Sequence, residues 1–267
     1  MGNVVTGKKI GLALGGGAAR GLAHIGVLEV LEREGIPIDL IAGTSIGAII
    51  GAFYACTKDI ALMKKLAVEV GSRRVHYIFS DVTFPRTGLI RLERVEKLLK
   101  QVIGGVRFQD SQLPFACVAV DIDRGEEVVL DRGLIWDAVR ASASVPVIVA
   151  LRKVEGRNFV DGGLLNPLPT SVARRMGADF VIAVNVVPTR PAEPKRSPGI
   201  FTLMMKTLSI VGHSPLIAGL TNADVVIEPE MDAIDFTDFH RARECFSLGQ
   251  SAAEQALPEI KRRLAND

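Results

Sequence analysis

Ser45 lies in G-T-S-I-G, residues 43–47, between the apolar runs IDLIA and AIIGAFYA. A serine in this setting fits a nucleophile elbow. Gly43 and Gly47 leave room for a sharp strand-to-helix turn, so the hydroxyl stands exposed at the helix N-terminus, where partial positive charge favours a developing anion. The five-residue string is common by itself, and its strand-helix setting carries the weight. A second turn of the same kind is G-G-G-A-A-R-G, Gly15 to Gly21, again after a strand and before a helix. Backbone N–H groups at such a turn can hold a phosphate or the oxyanion of an acyl-transfer intermediate. The third feature is Asp161 in N-F-V-D-G-G-L-L-N-P-L-P, a carboxylate at a strand end. Gly162 and Gly163 follow it and let another backbone come close.

A serine hydroxyl is a weak nucleophile until a base takes its proton. The four histidines are His24, His76, His213 and His240. His24 falls on the first predicted helix, where a packing or surface role is expected, and His76 falls in a polar region. His213 and His240 follow the elbow in the chain order that a Ser/Asp/His triad of the usual hydrolase type requires. No motif surrounds either one. Asp161 is the alternative base, although an ordinary Asp-Gly turn would give the same string. Gly15, Gly17 and Gly21 also make G-x-G-x-x-x-G, but dinucleotide binding needs an acidic residue near the end of the second strand. Asp39 begins that strand instead, and a serine elbow ends it.

The elements that must position these residues follow from periodicity. KKIGLALGG is a buried strand, RGLAHIGVLEVLEREG a helix closed by Gly35, IDLIAG a strand and IGAIIGAFYACT a helix. This β-α-β-α opening predicts a parallel sheet covered by helices on both faces, and the short strands lack polar alternation as such sheets require. Residues 59 to 105 are mostly helical, broken around SDVTFPRTGL. FACVAVDID and EEVVLDRG are strands, and IWDAVRASASVP is a helix that stops before Pro146. VIVALRKVEGRNFVDGG is a strand, a tight Glu155-Gly156 turn and a return strand; ADFVIAVNVV and ADVVIEPE are two more strands. Between these last two, residues 188–198 form a Pro- and charge-rich surface loop. The end, 239–264, is an amphipathic helix interrupted near Pro258.

A length of 267 residues at 48% hydrophobic suits one domain, 1–267, with a large core. Net charge +2 gives no broad field, so nucleic acid is not indicated. Cys56, Cys117 and Cys245 are odd in number and far apart, which suits core thiols in a reducing, cytoplasmic setting. No metal-ligand spacing or cofactor motif occurs, so neither metal nor cofactor is expected. The N-terminus lacks the ordered parts of a signal peptide, though Gly2 and Thr6 fit the N-myristoylation pattern. Two uncharged runs reach toward membrane-span length. Leu40 to Thr57 holds three glycines and a Thr-Ser pair. Thr207 to Ala223 holds His213 and Pro215 and suits a lipid surface better than a span.

The glycine turn, the G-T-S-I-G elbow, R-A-S-A-S-V-P and V-D-G-G together resemble the patatin-like phospholipases in order and rough spacing. The nearest likeness is to the compact bacterial type related to the neuropathy target esterase catalytic domain, over residues 8 to 190. The resemblance implies an α/β fold of three layers, with a mainly parallel central sheet and helices on both faces. It also implies a lipid acyl hydrolase acting on acyl esters, with a Ser/Asp dyad of Ser45 as nucleophile and Asp161 as base. Gly16, Gly17 and Ala18 take the oxyanion-turn positions, Arg20 the basic position beside a phosphate head group, and Gly21 the last glycine. Where the family has a glycine, residue 18 is Ala, whose N–H serves without strain only at negative φ. After Pro146, VIVALRKV departs from the aromatic and second proline of the family pattern. A peripheral membrane contact is compatible with this reading, as is a non-catalytic lipid-binding module on the same fold. Oligomeric state has no signature in the sequence.

Overall fold

A computed structural model describes residues 7–72, 88–90, 93–188 and 200–265. The lipidation pattern at Gly2 and Thr6, His76, the break at 80–87 and the surface loop beyond Pro188 lie outside the described residues. The strands are β1 Ile10–Leu14, β2 Leu40–Thr44, β3 Gly88–Ile90, β4 Phe115–Asp121, β5 Glu126–Leu130, β6 Val147–Val149, β7 Arg152–Val154, β8 Arg157–Asp161, β9 Phe180–Val184 and β10 Val225–Ile227. The helices are α1 Ala23–Arg33, α2 Ile46–Thr57, α3 Ile60–Ser72, α4 Glu93–Val102, α5 Ile135–Ser142, α6 Thr170–Arg175, α7 Ile200–Val211, α8 His213–Thr221 and α9 Ala242–Ala265.

Side-chain size sorts the two faces of the sheet. Along β1, Ile10, Leu12 and Leu14 join the core under α1, α2 and α9, while Ala13 joins a second core with Leu168, Val172 and Leu216 on the opposite face. β9 repeats the alternation, Phe180, Ile182 and Val184 against Val181 and Ala183. Both faces are buried, which is why these strands carry no polar alternation. α1 lies against α9 at backbone contact: a side chain at Gly26 would meet the Phe246 carbonyl at 2.1 Å, and one at Gly249 the Ala23 carbonyl at 2.0 Å.

The strand order β10-β9-β1-β2-β4-β8-β7, with β5 also on β4, is parallel from β10 through β4 and antiparallel beyond it. The parallel expectation therefore holds for the half of the sheet with helical crossovers, and the whole sheet is mixed. The reason is connection length. β4 to β5 and β7 to β8 are joined by short turns, the second through Glu155 and Gly156 at φ 48° and 84°, and such turns reverse the chain. β3 and β6 form a separate parallel pair.

The C-terminal helix differs from expectation. It runs unbroken through Pro258, because that residue is on the exposed side, where the carbonyl that the ring frees is open to solvent. No single helix among the described residues is long and apolar enough to cross a membrane. α7 and α8 form one apolar pair bent by 58° at Gly212.

Candidate active site

One edge of β4 brings the predicted residues together. β5 pairs with Cys117–Asp121, so the partners of those residues on the other edge are β2, parallel, up to Thr44 opposite Val118, and β8, antiparallel, ending at Asp161 opposite Ala119. β2 and β8 thus run head-on along a single edge and stop at adjacent registers. Ser45, one residue beyond β2, meets Asp161, the last residue of β8.

Ser45 holds φ 56° and ψ −120° at the N-cap of α2, a left-handed conformation that costs a non-glycine residue about 1–3 kcal/mol. Close packing imposes it. A side chain at Gly47 would meet the Leu14 carbonyl at 2.2 Å, and one at Gly43 the Gly47 carbonyl at 2.6 Å. Gly21 closes the same wall against the Ile46 side chain, and Gly162 fits against the Val118 carbonyl. The Ser45 N–H donates to Ser142 Oγ at 3.0 Å, and the Ser142 hydroxyl donates to the Val118 carbonyl at 2.6 Å. The Asp161 N–H donates to the Ser144 carbonyl at 2.9 Å. R-A-S-A-S-V-P therefore fastens both predicted catalytic residues, with the buried Arg140 donating to Ser144 Oγ at 2.8 Å and to the Ala150 carbonyl at 3.2 Å.

Asp161 is 4% exposed. Burial raises its pKa to about 6, against the opposing pull of the Ser45 hydroxyl and the Gly163 N–H, which donates to Oδ1 at 2.8 Å. Oδ2 is buried and closes no hydrogen bond of standard geometry, so the Ser45 hydroxyl acts on the carboxyl from a looser position than a formed bond. Such contacts commonly tighten only when substrate is bound.

The glycine turn corrects one expectation. The Gly16 N–H donates to the Pro167 carbonyl at 2.9 Å and the Gly15 N–H to the Val184 carbonyl at 3.1 Å, so neither faces a ligand. The N–H groups of Gly17 and Ala18 have no partner among the described residues. Ala18 sits at φ 49°, not the negative φ that alanine favours, and bears the associated cost. Arg20 is engaged elsewhere: its Nε donates to the Ile234 carbonyl at 2.7 Å, and its guanidinium lies 4.3 Å from the centre of the Phe236 ring. It anchors the turn to the 234–236 segment.

His213 and His240 are exposed, and neither lines a cavity at Ser45 or reaches Asp161. His24 matters in a way the sequence reading missed. It is fully buried and its Nε2 lies 2.8 Å from the Gly15 carbonyl, which requires the Nε2–H tautomer and leaves Nδ1 without a partner. Burial lowers its pKa to about 4, so the ring is a neutral donor under the glycine turn. A histidine at the second position of an apolar helix, three residues past the last glycine of the turn, was the available signal.

Ser45 stands where two cavities meet. One, of about 180 Å³, is walled by apolar side chains of α1 to α4 and the segment after α5. The other, of about 50 Å³, holds Asp161, Gly16, Gly17, Asn185 and Ser209, and is closed by α7 and α8.

The family model described as "Patatin-like phospholipase" matches residues 12–174. An uncharacterized NTE family protein of Mycobacterium tuberculosis is 33% identical over 206 residues, covering 75% of this chain and 57% of that protein. Patatin-like phospholipase domain-containing protein 6 of Homo sapiens is 37% identical over 190 residues, 70% of this chain and 14% of that one. Lysophospholipase NTE1 of Pyricularia oryzae is 36% identical over 184 residues, 67% of this chain and 12% of that one. The chain thus spans little more than half of the mycobacterial relative and a small part of the other two. The family model spans both the glycine turn and V-D-G-G, the two motifs that flank the elbow; the chain belongs to the patatin-like phospholipase family.

Proposed function

We propose that this chain is a lipid acyl hydrolase working through a Ser45/Asp161 dyad. Ionised Asp161 accepts the Ser45 proton as the hydroxyl oxygen bonds to an ester carbonyl carbon. The Gly17 and Ala18 N–H groups receive the oxyanion; the loss of one such donor in other enzymes costs about 10²- to 10³-fold in rate. The intermediate collapses to an acyl-serine as the alcohol leaves with the proton from Asp161. Water, deprotonated by the same carboxylate, then releases the fatty acid and restores the hydroxyl. The observation that carries this reading is the junction at Ser45: a strained serine where the apolar cavity meets the smaller one, a dry carboxylate in the smaller one with one oxygen unengaged, and two N–H groups without a partner among the described residues.

The exposure of His213 and His240 favours the dyad over a triad. The name of the Pyricularia relative supports lysophospholipids as a substrate class. Ile210, Val211, Leu203 and Ile217 expose 76%, 54%, 50% and 44% of their surfaces on the bent pair that closes the polar cavity. This supports access from a lipid surface on which α7 and α8 rest. Intact-mass analysis after fluorophosphonate treatment tests the mechanism. One adduct on Ser45 is expected, absent in Ser45→Ala and slowed in Asp161→Asn; a folded parent that takes no adduct would point to a non-catalytic lipid-binding module.

A further inference from the structure

The larger cavity has a direction. α2 leaves Ser45 at once, and the α2 side chains that line the cavity are Ile46, Ile49, Ile50 and Phe53. That spacing is one stripe of the helix, so the cavity follows the helix axis away from the serine. The next positions on the stripe, Cys56 and Thr57, lie outside it. α3 begins only three residues after α2 ends and supplies a matching stripe, Met63, Leu66, Ala67 and Val70. Only Lys58 and Asp59 separate the two helices, and Met63, in the first turn of α3 with its N–H on the Asp59 carbonyl, therefore lies near the far end of α2. The α3 wall closes on the segment around Phe239: a side chain at Gly71 would meet the carbonyl of Phe239, another lining residue, at 2.2 Å. Phe53 and Met63, 6% and 3% exposed, form the inner end.

Length and volume agree on what fits. From Ser45 to Phe53 is eight residues of helix, roughly 12 Å at about 1.5 Å per residue. An extended chain advances about 1.2 Å per bond, judged from the reach of an extended backbone, so roughly ten bonds fit. The volume of about 180 Å³ holds on the order of six to twelve water-sized groups at roughly 15–30 Å³ each. The second cavity at Ser45, of about 50 Å³, has no comparable room.

We propose that this cavity measures the acyl chain, taking a single chain of about eight to ten carbons with Phe53 and Met63 as its floor; the proposal rests on the acyl-hydrolase reading above. Each methylene added to the substrate is buried until the chain reaches the floor, so kcat/KM rises about fourfold per methylene and then stops.

The test measures kcat/KM for p-nitrophenyl esters from butanoate to hexadecanoate, with active sites counted by fluorophosphonate adduct. The parent is expected to peak near octanoate to decanoate. Phe53→Ala and, independently, Met63→Ala move the peak to longer esters, raising the ratio of tetradecanoate to octanoate about tenfold or more. Ile49→Phe, one turn from Ser45, moves it the other way, toward butanoate. A parent that takes the adduct but whose profile climbs unbroken to hexadecanoate, or holds one peak in all three variants, overturns the chain-length proposal alone. A folded parent with no adduct and no ester turnover overturns the hydrolase reading and this proposal with it.

Discussion

Asp161→Asn is expected to make the protein more stable and less active at once. The parent holds a carboxyl at 4% exposure whose pKa burial has raised to about 6, against an ordinary value near 4. Asparagine has the same shape and keeps an oxygen for the Gly163 N–H. Its amide has no charge to desolvate. The sign follows from proton uptake. Below about pH 4 the carboxyl is protonated in both folded and unfolded chains, and the variant gains nothing. Between about pH 4 and pH 6 the unfolded parent ionises while the folded parent keeps its proton, so parent stability falls with rising pH. Above pH 6 both forms are ionised and the deficit is constant, at about 3 kcal/mol. For a chain of this size that is roughly 6 °C in Tm. Urea unfolding of parent and variant across pH 4 to 8 reads the difference directly, because every other titrating group is common to both. The fluorophosphonate rate of the parent rises through pH 6 to a plateau as the base ionises, while the variant stays low throughout. A variant less stable than the parent at pH 8, or a difference that does not change with pH, would refute the claim that Asp161 is held at an energetic cost.

Three other perturbations probe the supports around the dyad. Ser142→Ala leaves the Ser45 N–H and the Val118 carbonyl without their partner in a fully buried place; at about 1–3 kcal/mol for each such group, a loss of roughly 2–6 kcal/mol is expected in urea unfolding, with slower Ser45 labelling. Parent-like values would show that the hydroxyl does not hold the elbow. His24→Phe keeps the bulk but strands the Gly15 carbonyl, so unfolding should show a loss of about 1–3 kcal/mol, and labelling should slow without a change in the pH profile. Replacing Ile210 and Val211 together with Asp removes two exposed apolar anchors, roughly 3 kcal/mol of lipid contact, or about a hundredfold in vesicle affinity by sedimentation. Unchanged binding would place the lipid contact elsewhere.

The glycine turn, the elbow and Asp161 were legible because each is a local demand of the backbone. A serine at φ 56° needs glycines where Gly43 and Gly47 stand, since the chain beside them comes to within contact of Leu14 and Ala48. Such constraints leave strings. The sheet was legible only in half: β1, β2 and β9 carry runs of large and small apolar residues that require cover on both faces, whereas the reversal at β5, β7 and β8 is written in short turns whose partner strand the sequence does not name. Arg20 shows the same limit. Its position next to the glycine turn suggested a head-group contact, but its partners, Ile234 and Phe236, lie more than two hundred residues away.

The meeting of Ser45 and Asp161 was implied by the family resemblance, but the residues alone could not show it, for a deeper reason. Nothing in G-T-S-I-G or V-D-G-G states that β2 and β8 share an edge of β4 and stop at neighbouring registers. A one-residue slip of β8 would turn Asp161 to the opposite face of the sheet. Register is therefore part of the site. The Asp161 N–H to the Ser144 carbonyl and the Ser45 N–H to Ser142 Oγ lock both strand ends to the same short segment, R-A-S-A-S-V-P, so the two halves cannot slip independently. That segment holds neither proposed catalytic group, and its sequence shows no chemistry of its own. Its function is to make two separate strand ends one rigid constellation, which a carboxylate base, weaker than imidazole near neutral pH, requires for proton transfer.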